Sequence, residues 1–151
     1  PWMPEDRLGS QLLLCEQNEN FMHCAVGYRG NWARDTAAAL RQMDLPFGIK
    51  VRSWNPDKHT VYRSLLDEFS RGTIRMIVTH SSGSALTALL AGVPAISQAG
   101  AARLYTGPLT RENILNWTRP DNRMSLFNSL ADGQFTLDEM RSGYAWKVLN
   151  P

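Results

Sequence analysis

Apolar and polar positions alternate along this chain in blocks whose periods change from strand-like to helix-like. Gln11-Leu-Leu-Leu-Cys15 is a short apolar run after Gly9-Ser10 and predicts a strand buried on both faces. Glu16 to Gly30 is rich in Asn and interrupted by Gly27 and Gly30, which predicts a long loop, a feature often functional in compact domains. Trp32, Thr36, Ala39, Leu40 and Met43 then recur at spacings of three and four, so a helix starting near Asn31 places them on one face. Leu45-Pro46 ends it. Ile49-Lys-Val-Arg-Ser53 alternates as a strand does, and Asn55-Pro56-Asp57 is a turn whose Asp57 can cap a helix carrying Val61, Leu65, Leu66 and Phe69. Arg71-Gly72 closes that helix.

The stretch from Arg75 to Ser97 carries the most information. It predicts a strand from Arg75 to His80, a turn at Ser81-Ser82-Gly83, a helix from about Ser84 to Ala91 stopped by Gly92, and a strand Ala95-Ile-Ser97. Gln98 to Thr118, with Gly100, Gly107 and Pro108, predicts a mostly irregular segment placed as a lid would be. In the tail, Asp121 or Asn122 opens a helix with Met124, Phe127, Leu130 and Ala131, stopped by Gly133. Thr136 and Glu139 then form a capping box for a last helix holding Met140, Tyr144 and Lys147. Strands alternating with helices predict parallel crossovers, hence one α/β domain over residues 1–151 with helices on both faces of a parallel sheet.

Composition narrows the class. With 151 residues, 43% of them hydrophobic and 20% charged, the chain has the make-up of a globular protein rather than a disordered one. A chain of that length buries roughly 70% of its unfolded surface. The longest apolar-leaning run, Ala85 to Ala95, is too short for a membrane span, and the opening Pro1-Trp-Met-Pro-Glu-Asp-Arg7 has no leader pattern, so a cytoplasmic location is expected. A net charge of +2 gives no electrostatic ground for a nucleic-acid partner. Cys15 and Cys24 are expected as free thiols, and no spacing with His23, His59 or His80 predicts a metal centre.

The candidate chemistry sits at two strand ends. Thr79, His80, Ser81, Ser82 and Ser84 bring four hydroxyls and one imidazole to a helix N-terminus, where orphan N–H groups and the helix dipole favour phosphate. The alternative is that Ser82 or Ser84 simply caps the helix while His80 satisfies a backbone carbonyl. Arg52 and Asn55, at the end of the neighbouring strand, could face the same cleft, with Arg52 clamping an anion and Trp54 stacking on a base or sugar, or else Arg52 solvated and Trp54 in the core. His80-Ser-Ser-Gly-Ser84 lacks the glycines of a hydrolase nucleophile elbow, and no Gly-x4-Gly-Lys-Ser/Thr occurs.

Arg52-Ser-Trp-Asn-Pro56, Ser81-Ser82, Ala88-Leu-Leu-Ala-Gly-Val-Pro94 and the tail Gln134 to Trp146 together resemble the nucleotide-binding half of GT-B glycosyltransferases, around capsular polysaccharide synthesis and export proteins and their short phage-encoded relatives. The resemblance implies a Rossmann-like fold, half of a GT-B architecture, binding a nucleotide-activated sugar with no further cofactor. It implies that Asn55, Ser81 and Ser82 contact the donor phosphates, with Arg52 nearby, and, for a phage-encoded chain, location in the host cytoplasm. It also implies inverting transfer to a polysaccharide or other acceptor, for which Asp57 and Glu16 are the loop carboxylates available as base. Asn55 stands where the family has His, and Thr87 where many members have Glu. Those differences frame the alternative, an inactive phage-type binding module that keeps the fold and works on a partner protein or as a homo-oligomer.

Overall fold

The computed structural model describes residues 1–50, 64–132 and 134–150. They form two compact units, Pro1–Pro120 and Asp121–Pro151.

The first unit is built on four parallel strands: β1 (Gln11–Cys15), β2 (Phe47–Lys50), β3 (Ile74–Thr79) and β4 (Ala95–Ser97), in the order β2-β1-β3-β4. Cys15 lies level with Lys50, Leu14 with Val78, and Thr79 with Ser97. The expected α/β class and parallel Rossmann-like sheet are therefore observed. β1, β3 and β4 read as apolar runs because both of their faces are covered, and all of their residues except Gln11 and Arg75 are buried. β2 is an edge strand, and Ile49 is 45% exposed there. It begins at Phe47, two residues earlier than predicted, and its expected continuation to Ser53 lies outside the described residues.

Between the strands run α1 (Glu19–Phe21), α2 (Trp32–Gln42), α3 (Leu65–Ser70) and α4 (Gly83–Ala91), and after β4 come α5 (Arg103–Thr106) and α6 (Arg111–Leu115). α2 forms where the three-and-four spacing put it, capped by Asn31 Oδ1 on Arg34 N at 2.8 Å. Its buried face is Trp32, Thr36, Ala37 and Leu40; Ala39 is only half-buried. One cluster joins Leu40 to Leu12, Met76, Ile96 and Ile114, and a second joins Trp32 and Ala37 to Leu14, Met22 and Val78. Even-numbered positions of β1 and β3 thus face α2 and α6. The odd-numbered Leu13, Cys15 and Ile77 turn to the other face, where Cys15 reaches Ser84 of α4 and α4 in turn packs on α3.

Two predictions are corrected, and a third, the mostly irregular Gln98 to Thr118, is refined. The Glu16 to Gly30 segment is not all loop: Asn18 caps α1, and a wider helical turn over Met22–Val26 follows, ending at Gly27 with φ 73°. Of the two Asn residues that signalled a loop, Asn18 serves as a cap and Asn20 lies within α1, and Met22 anchors the turn in the core. Gln98 to Thr118 holds α5 and α6, the latter capped by Thr110 and fixed by buried Ile114. α3 starts from a capping box of Ser64 and Asp67; it buries Phe69 but leaves Leu66 exposed, while Asp57 and Val61 lie outside the described residues.

The chain start is clipped to this unit. Met3 N donates to Gly92 O at 2.9 Å, Arg119 pairs with Glu5 at 2.8 Å, and Trp2 meets Trp117 edge-on with centroids 5.4 Å apart. Gly92 holds φ 81° as the C-cap of α4, and a Cβ there would stand 2.6 Å from Met3 N, so glycine is required twice over.

The second unit holds α7 (Arg123–Asp132), α8 (Leu137–Arg141) and α9 (Tyr144–Leu149). The Thr136 and Glu139 capping box forms as predicted. The single last helix does not: Gly143 adopts φ 76° and divides it into α8 and α9. Phe135 and Tyr144 pack edge-on across that break, with centroids 6.4 Å apart. No helix among the described residues is long and apolar enough to cross a membrane.

Candidate functional site

In the order β2-β1-β3-β4 the chain moves outward from β1 to β2, then crosses back to place β3 on the other side of β1. Connections therefore diverge between β1 and β3, and ligands of open parallel sheets bind beyond the carboxyl ends of strands at such a point. Two cavities open there.

One, of about 500 Å³, is lined by Cys15 and Glu16 at the end of β1, Lys50 at the end of β2, Ser64 to Leu66 at the start of α3, and Ser82, Gly83, Ser84 and Thr87 of α4. Ser82 is the α4 N-cap: its Oγ accepts from Ser84 N at 3.2 Å and lies 2.9 Å from Ser84 Oγ. A Cβ built on Gly83 meets nothing within 4 Å among the described residues, so the first turn of α4 opens onto the cavity. A helix start with glycine at its first position and a lysine across the cavity is arranged for an anion.

Burial pushes the Cys15 thiol up to about 11, against the opposing effects of a hydrogen bond from Ser84 and the charge of Lys50. Cys15 is thus a neutral wall of the cavity, not a nucleophile. Cys24 is exposed, and both thiols are free. Lys50 also lies 3.9 Å from Glu68, both half-buried.

The second cavity, of about 770 Å³, is lined by Glu16 to Asn20, Met22 and Gly30 to Ala33. Glu16 borders both cavities. Burial, then the nearby charge of Glu19, holds its carboxyl above the usual range.

The predicted residues are divided by this geometry. Ser82 and Ser84 line the smaller cavity. His80 and Ser81 line neither: the His80 ring stands edge-on to Trp32 with centroids 5.9 Å apart, and Ser81 backs onto the turn at Gly100. Burial lowers the His80 pKa, so its imidazole is neutral at pH 7, and neither its Nδ1 nor Ser81 Oγ has a hydrogen-bond partner among the described residues. The His80 carbonyl is used structurally, accepting from Ala99 N at 2.7 Å and from Ser97 Oγ at 3.0 Å. Arg52, Trp54 and Asn55 lie outside the described residues. Thr87 bonds back to Gly83 O at 3.1 Å. Lys50, Cys15 and Gln17 were not singled out by sequence; only the strand order and register bring them to one edge.

No protein-family model matches the chain, and no curated protein and no solved structure does either.

Proposed function

We propose that the Pro1–Pro120 unit is a glycosyltransferase-like domain that binds a nucleotide-activated sugar, with the phosphates held at the start of α4. The observation that carries this reading is the cavity at the sheet's carboxyl edge in which Lys50, Ser82, Gly83 and Ser84 converge. The Gly83 N–H and the dipole of α4 supply fixed partial charge, Ser84 Oγ supplies a hydroxyl, and Lys50 supplies full charge. In a transfer reaction the same groups stabilise the departing nucleoside diphosphate, while a carboxylate removes the acceptor proton. Glu16, bordering the cavity with an elevated pKa, is the described carboxylate suited to that second role.

Thermal unfolding in the presence of nucleoside diphosphates and nucleotide sugars tests the reading. A ligand at 100 times its dissociation constant adds about 2.7 kcal/mol, a shift on the order of 10 °C for a unit of this size. Lys50→Gln and Ser84→Ala are expected to remove most of that shift. No response to any nucleotide rejects the reading.

A second reading is an inactive binding module that retains the fold. It is favoured by the mutual bonding of Ser82 and Ser84, which satisfies the turn without any ligand. Nucleotide binding without release of sugar from any nucleotide sugar supports it; turnover abolished by Glu16→Gln rejects it.

A further inference from the structure

Thr79 closes β3 and is fully buried, yet it places a hydroxyl where the apolar run before it would accept Val. Burying a hydroxyl is unfavourable unless its bonds are made, and here both go to the end of β1. Its one proton is donated to Cys15 O at 3.4 Å, and a lone pair accepts from Gln17 Nε2 at 3.1 Å. Cys15 and Gln17 are the two chain neighbours of Glu16. A single side chain on β3 therefore holds the residue before Glu16 and the residue after it.

On the other side Glu16 is held by its own backbone. Its N–H donates to Lys50 O at 3.2 Å, in line with the pairing of Cys15 and Lys50 between β1 and β2. Glu16 thus leaves the sheet pinned between β2 and β3, and just beyond Gln17 the chain is fixed again at Asn18, the cap of α1. A general base must stand within about 3 Å of the proton it removes, and a displacement of about 1 Å can cost on the order of 100-fold in rate.

We propose that Thr79 is a positioning residue: its hydroxyl, acting through Gln17 and the Cys15 carbonyl, sets where the Glu16 carboxyl stands at the carboxyl edge of the sheet. For catalysis this rests on the reading of Glu16 as the base, whereas the placement itself is a property of the folded chain. A hydroxyl that only tied β1 to β3 would contribute stability and leave the carboxyl where it is.

The test is the titration of Glu16, followed by carboxyl carbon NMR on the full chain, in the wild type and in Thr79→Val, Thr79→Ser and Gln17→Leu. None of these substitutions adds or removes a charge, so a displaced midpoint reports a change in where the carboxyl stands. Valine keeps the shape of Thr79 and loses both bonds, serine keeps both, and leucine at the half-buried Gln17 breaks one without entering the core. Thr79→Val and Gln17→Leu are expected to lower the midpoint by about half a pH unit or more, as a released carboxyl returns to water, and Thr79→Ser to leave it within about 0.2 unit. An unchanged midpoint in Gln17→Leu and in folded Thr79→Val overturns the proposal, as does a Thr79→Ser midpoint displaced as far as that of Thr79→Val. With a nucleotide sugar that is turned over, Thr79→Val is expected to lower kcat about tenfold and to leave KM within about twofold. Displaced midpoints in a chain that binds neither uridine nor guanosine diphosphate uphold the placement of Glu16 and reject the nucleotide reading; diphosphate binding with undisplaced midpoints rejects the role of Thr79 alone.

Discussion

Cys15 provides a direct probe of the smaller cavity. The thiol is 4% exposed and burial lifts its pKa to about 11, two units above the ordinary 9.0. At pH 8 an ordinary thiol of that kind is about 10% thiolate and one at 11 about 0.1%, so ionisation alone slows alkylation roughly 100-fold. Exclusion of the reagent slows it further. Iodoacetamide labelling followed by mass spectrometry, in buffer and in denaturing urea, gives the native and unfolded rates for Cys15 in one chain, with exposed Cys24 as internal reference. The native rate is expected at least 100-fold below the unfolded one, and a nucleotide occupying the cavity should lower it again. A native rate within threefold of the unfolded rate would refute both the burial of the thiol and the packing of Ser84 against it. The sign of the associated linkage is fixed as well. The folded state holds this proton more tightly, so stability is fully present below pH 9 and declines by about 3 kcal/mol as pH rises to 11. Cys15→Ala should remove that part of the alkaline slope in urea titrations.

Other expectations concern the scaffold. Leu40→Ala empties a fully buried position between α2 and the sheet and should cost about 2–5 kcal/mol in denaturant unfolding. Gly9→Ala should prevent folding or cost several kcal/mol, because its Cβ would stand 1.9 Å from Thr73 O; Gly83→Ala, facing open space, should change stability by less than about 1 kcal/mol. Gly83→Ala is also expected to weaken diphosphate binding, since the methyl enters the cavity. Thr136→Ala breaks the capping box of α8 and should cost about 1 kcal/mol, read as lost helical dichroism in the second unit. Hydrogen bonds from Thr136 hold the Glu139 pKa below the usual range, so the half of the capping box that the Glu139 carboxylate accepts is present at neutral pH and lost as pH falls through that lowered value, whereas the Thr136 cap itself does not titrate.

Much of the fold is local in origin. The Gln11–Cys15 and Ala95–Ser97 strands, the α2 helix and the Ser82 cap follow from short-range rules, because buried parallel strands read as apolar runs and caps use side chains two or three residues away. The same rules found the Thr136 capping box and missed the break at Gly143, since an isolated glycine in a helical pattern is compatible with either continuation or a stop. They misread Glu16 to Gly30 because Asn favours loops and helix caps for one reason, its competition for backbone groups.

The site divides along the same line. Ser82 and Ser84 were legible because their chemistry is that of one turn. Lys50, Cys15 and Glu16 meet them only after β3 has crossed over to pair with β1, a juxtaposition set by strand order and register, not by spacing along the chain. His80 and Ser81 are neighbours of Ser82 in sequence, yet the pleat and the Gly100 turn direct them away from the cavity that Ser82 lines. The sequence alone determined that an α/β sheet would present a helix N-terminus at a strand end, because hydrophobic period and capping act within a few residues. Which groups surround that terminus was decided by the tertiary structure, because burying both faces of the sheet fixes the order in which distant strands are laid side by side.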